Sequence, residues 1–101
     1  MDIAPGLENH VEQAVSDLAE RLEIERDRIE LAGAEFVTWS DGSLGCPEPG
    51  HMYTQALVPG YRIRLRVGKE IHAYHGARDR DPFHCPPDRV RPPAAAGEAI
   101  R

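Results

Sequence analysis

Cys46 and Cys85 are the only two cysteines in 101 residues, and each is followed by proline. With His51, His75 and His84 they are the side chains whose types are best suited to chemistry. Two thiols in separate segments serve as small buried apolar groups. Joined, they would close a loop of about 40 residues, worth up to about 4 kcal/mol on a chain-entropy argument. A zinc site asks for four tetrahedral nitrogen or sulfur ligands, which Cys46 and His51, five residues apart, would begin and His75, His84 and Cys85 would complete. No paired C-x-x-C spacing supports it. Neighbours in a strand point to opposite faces, so His84 and Cys85 do not converge on one ion. Nucleophilic work by Cys46 needs a histidine base within hydrogen-bond reach and a third group orienting that base. Nothing in the spacing demands such a meeting. Thiol, disulfide and metal states therefore all stay open, and a transient redox role with them.

Other motifs carry plainer readings. Asp41-Gly42-Ser43-Leu44-Gly45 is neither a phosphate-cradling loop nor a G-x-S-x-G elbow, and reads as a turn that demands glycine. Arg62, Arg64 and Arg66 share one face of a strand at about 7 Å spacing, which could follow a phosphate backbone. In a chain of net charge −5 the row reads as a solvated face offset by nearby acids, and no nucleic-acid partner is expected. Tyr53, Tyr61 and Tyr74 suit cross-strand packing. Trp39, at a strand end, suits the edge of the core.

These residues need a scaffold, and a chain of this length forms one domain. Leu, Ile, Val and Phe number 21, eighteen of them between Leu7 and Phe83, so the core is small. Leu7, Val11, Ala14, Val15, Leu18, Ala19 and Leu22 form one apolar stripe at helical period. Pro5-Gly6 breaks the chain before the stripe. Ile29–Trp39 favours a strand whose alternation breaks at Ala32-Gly33-Ala34, where an extra residue would change its face. Residues 40–51 hold three glycines and two prolines and read as loop. Met52–Val58 is compatible with extended chain, and Pro59-Gly60 reads as a type II turn. Tyr61–Val67 alternates without a fault, and Gly68-Lys69 reverses it into Glu70–His75. A two-residue turn there pairs Ile63 with Tyr74 and Leu65 with His72; a three-residue loop exchanges the faces. Glycine at the first position favours the shorter turn. Phe83-His84-Cys85 supplies a last short strand. The expectation is an α+β domain over residues 7–86, one N-terminal amphipathic helix on an antiparallel sheet of three to five strands. A flexible segment 1–6 and a disordered Pro/Ala-rich tail 87–101 would flank it.

The run Val37-Thr38-Trp39-Ser40-Asp41-Gly42-Ser43-Leu44-Gly45-Cys46-Pro47-Glu48-Pro49-Gly50, continued by Tyr53-Thr54-Gln55 and Pro59-Gly60-Tyr61-Arg62-Ile63, resembles a family of small uncharacterised bacterial proteins. The resemblance extends over about residues 10–86 and brings domain boundaries with it, but no activity. Met1–Gly6 has neither a basic region nor an apolar run, so no secretory leader is predicted and a cytoplasmic location is expected. No stretch is long and apolar enough to span a bilayer. No cofactor is expected. The favoured reading is a non-enzymatic domain whose loop 39–51, with Trp39, Asp41, Ser43, Cys46, Glu48 and His51, binds a partner, possible protein partners first. Two alternatives stand beside it. One is a metal or redox role through Cys46, Cys85, His75 and His84; the other is an inhibitor-like loop presented to another protein.

Overall fold

The computed structural model describes residues 4–96. Helix α1 covers Glu8–Leu22 and ends at Glu23, whose left-handed backbone (φ 55°) lets its N–H reach back to Ala19 and Glu20. Its stripe is buried at Val11, Ala14 and Leu18, with Leu7 just ahead. A 3-10 turn, Arg26–Arg28, leads into strand β1, Glu30–Trp39. Strands β2 (Val58–Val67), β3 (Glu70–Ala77), β4 (Phe83–Cys85) and β5 (Ala95–Ala96) complete an antiparallel sheet of order β4-β3-β2-β1-β5.

The β1–β2 register shifts between Leu31 and Gly33. Leu31 faces α1 before the shift and Ala34 faces it afterwards, so one extra residue changes the parity of the strand. The β2–β3 hairpin takes the two-residue turn, with Ile63 opposite Tyr74 and Leu65 opposite His72. Gly68 supplies its positive φ of 61°. Ile63, Leu65, Tyr61 and Tyr74 therefore meet α1 in the main core.

The opposite face of the sheet has two parts. Arg62, Arg64 and Arg66 lie on one, where Glu35 bonds Arg62 and Arg64 and Glu30 bonds Arg66. This is the offset row read from the sequence, and its pairing lies within the sheet. The other part is a second small core of Val37, Trp39, Leu44 and Ala77, roofed by the chain that follows β1.

Three expectations are corrected. Pro59-Gly60 is not a turn but the start of β2, with Pro59 opposite Thr38 and Gly60 opposite Val37. Its glycine answers packing: a Cβ on Gly60 would lie 2.3 Å from the Gly76 carbonyl and 2.5 Å from the Trp39 indole nitrogen. Proline is tolerated so near a strand's start. Met52–Leu57 is loop, and the strand begins at Val58. Residues 87–96 are no free tail. Pro87–Arg89 forms a 3-10 turn, the Arg91 N–H bonds the Gly45 carbonyl, the Ala94 N–H bonds the Thr38 carbonyl, and β5 pairs with Val37 and Thr38. Alanine and proline gave no apolar pattern to announce this docking, which rests on backbone hydrogen bonds. At the other end, the Ala4 N–H bonds the Ala34 carbonyl. Residues 1–3 and 97–101 lie outside the described residues.

Candidate functional site

The chain between β1 and β2 divides into a buried base and an exposed arm. Trp39, fully buried, donates its indole N–H to the Gly76 carbonyl at 3.0 Å. Asp41 accepts from the Ser43 backbone N–H (2.9 Å) and hydroxyl (2.6 Å), which fixes the first turn and holds its carboxyl below the ordinary range. Leu44 and Gly45 then reverse the chain with φ of 56° and 73°. Glycine is required at 45, because a Cβ there would stand 2.3 Å from the Trp39 ring. His75, 2% exposed, donates its Nδ1–H to the Leu44 carbonyl at 2.8 Å and lies against Trp39, ring centroids 4.5 Å apart. A carbonyl only accepts, so this bond selects the tautomer. Burial pushes the His75 pKa below its ordinary value, the Leu44 bond opposes this, and Arg62 adds to the lowering.

Cys46 and Cys85 form a disulfide, Cα atoms 6.0 Å apart, that joins the base to β4. Of the three states the sequence left open, the cross-linked one is present, and both cysteines are buried. Cys85 reaches the Trp39 face of the sheet, while His84 points to the other and meets Tyr74 edge-on, centroids 5.4 Å apart. His75 and His84 thus lie on opposite faces, and His51 is out on the arm. Among the described residues no group of three or more His, Cys, Asp or Glu side chains is placed to hold a metal ion.

The arm, residues 48–57, is where the surface lies. Met52 is 96% exposed and Leu57 66%. The arm is nevertheless braced. Arg89 donates from Nε to the Pro47 carbonyl (3.1 Å) and from its guanidinium terminus to the Cys46 carbonyl (3.5 Å), and pairs with Glu48 at 3.6 Å. The Glu48 N–H donates to the Tyr53 hydroxyl at 3.0 Å, and the His51 N–H to the Glu48 carbonyl at 3.1 Å. The His51 and Tyr53 rings stack with centroids 6.3 Å apart. The Gly42 N–H donates to the Thr54 carbonyl at 2.9 Å, tying the far side of the arm back to the base.

Of the six residues proposed for the loop, Trp39, Ser43 and Cys46 are buried, Asp41 is half-buried in its turn, and Glu48 and His51 stand on the arm. Sequence reasoning missed Met52, Leu57 and Arg89. Met52 carried one signal: a large apolar residue in a glycine- and proline-bounded segment with no periodic partner. Arg89 carried none, since its partners are backbone carbonyls more than forty positions away.

No described helix is long and apolar enough to cross a membrane. No curated protein and no solved structure matches the chain. The family model described as a domain of unknown function, DUF8738, matches residues 11–85, which takes in α1 from Val11 onward, the sheet through β4, both cysteines and the whole arm. The chain belongs to the DUF8738 family.

Proposed function

We propose that the protein is a non-enzymatic binding module that engages another protein through residues 48–57, with Met52 at the centre of contact. The observation that carries this reading is a large apolar side chain held almost wholly in solvent on an arm whose base is fixed by a disulfide and by Arg89. Exposed apolar groups are common singly. An exposed apolar group on a braced arm has its ordering entropy removed before contact, which is what a preformed ligand requires. Glu48 and His51 would form the polar rim. Trp39, Asp41, Ser43 and Cys46 act in positioning: they build the base and leave contact to the arm. The buried disulfide moves the expected compartment from the cytoplasm to an oxidising one.

A photoreactive amino acid at position 52, and separately at exposed Glu20 on α1, tests this in an extract of the source organism. The expected result is a discrete protein adduct from position 52, competed by excess unmodified protein, with none from position 20. Equal labelling from both positions, or none from 52, would overturn the reading.

A further inference from the structure

The arm has a property that mere display does not require: the chain is tied down separately on both sides of the Met52–Tyr53 peptide bond. On the N-terminal side Cys46 is cross-linked to β4 and Arg89 holds the Cys46 and Pro47 carbonyls. On the C-terminal side the Thr54 carbonyl is held by Gly42. Tyr53 itself reaches back across the bond, its hydroxyl accepting the Glu48 N–H and its ring stacked with His51. Met52 makes the complementary contribution, an unbranched, flexible apolar side chain free to enter a deep pocket.

Resting on the protein-binding reading above, we infer that the arm enters the active-site cleft of a serine endopeptidase with an apolar primary pocket, Met52 filling that pocket and Met52–Tyr53 lying at the catalytic serine. The serine Oγ adds to the Met52 carbonyl carbon as the enzyme's histidine takes its proton. The C–N bond to Tyr53 then breaks, and the histidine gives the proton to the departing Tyr53 amine. From an ordinary substrate that amine diffuses away and water attacks the acyl-enzyme. Here Thr54 and the Tyr53 ring hold the amine beside the acyl carbon. Its return attack, which re-forms the peptide bond and restores the serine hydroxyl, is effectively intramolecular and outruns water. No bond is changed overall and the enzyme stays occupied.

Inhibition of chymotrypsin and subtilisin, with trypsin as the basic-specific counterpart, tests this with the oxidised full-length protein. Expected is inhibition of chymotrypsin or subtilisin, weaker by about 100-fold or more on trypsin, and a reversal of that preference in Met52→Lys. Exposure of the side chain protects the fold from this change, and an unaltered circular dichroism spectrum verifies it. The inference is overturned if neither protein inhibits any of the three. It is equally overturned if Met52→Lys leaves the preference unchanged, or if Met52–Tyr53 is hydrolysed without enzyme being retained. A competed adduct from position 52 alongside such a negative result removes the endopeptidase and leaves protein binding standing; absence of the adduct removes both.

Discussion

Removing the cross-link gives the largest effect whose size follows from the chain alone. Cys46 and Cys85 are 39 positions apart, and opening a loop of that length returns roughly 13 cal/mol/K to the unfolded chain. At 25 °C this is about 4 kcal/mol, a large fraction of the 5–15 kcal/mol typical of a domain this size. The paired substitution Cys46→Ala and Cys85→Ala removes two buried sulfurs with little else disturbed. The corresponding fall in Tm is roughly 15–30 °C. Trp39 is the only tryptophan and is fully buried, so its fluorescence follows urea unfolding with no added probe. The midpoint should fall while the far-ultraviolet dichroism in buffer is kept, since the α1 core lies on the other face of the sheet. A loss below about 1 kcal/mol would refute the reasoning: the Arg89 bonds and the Arg91–Gly45 bond would then hold the base without the sulfurs.

Leu18 is fully buried in the α1 core, so Leu18→Ala should cost about 2–5 kcal/mol in urea, whereas exposed Glu20→Ala should cost under about 0.5 kcal/mol. Arg89→Ala should cost about 1–2 kcal/mol in the same assay and speed amide exchange at residues 48–53, because the Cys46 and Pro47 carbonyls lose a charged donor. Acidification should destabilise the protein: burial lowers the His75 and His84 pKa values, so the unfolded chain binds protons that the folded chain refuses. The stability of neutral His75 is complete above the ordinary 6.5 and declines as pH falls through that value toward the lower folded one. Urea midpoints between about pH 7.5 and 5 should therefore fall, less steeply in His75→Gln; a rise would contradict the assignment.

Periodicity carried the fold as far as side chains dictate it. The helical stripe, the break near Gly33 and the unbroken alternation of Tyr61–Val67 were legible because burial selects apolar residues at fixed spacing. Pro59-Gly60 misled because glycine there answers to the Trp39 ring and the Gly76 carbonyl, contacts with partners distant in sequence. The docking of Ala94–Ala96 was invisible because backbone groups make it. At the proposed site, the sequence singled out residues 39–51, yet Trp39–Cys46, with their glycines and tryptophan, build the base. The exposed residues lie further on, where no period exists to read.

A preformed arm underlies both the binding reading and the endopeptidase reading. Backbone amide relaxation of the oxidised full-length protein tests it most directly, with no partner required. Order parameters above about 0.8 through residues 48–55, matching those of β2, are the expected result. Values below about 0.6 across Gly50–Tyr53, in an otherwise ordered domain, would contradict the account.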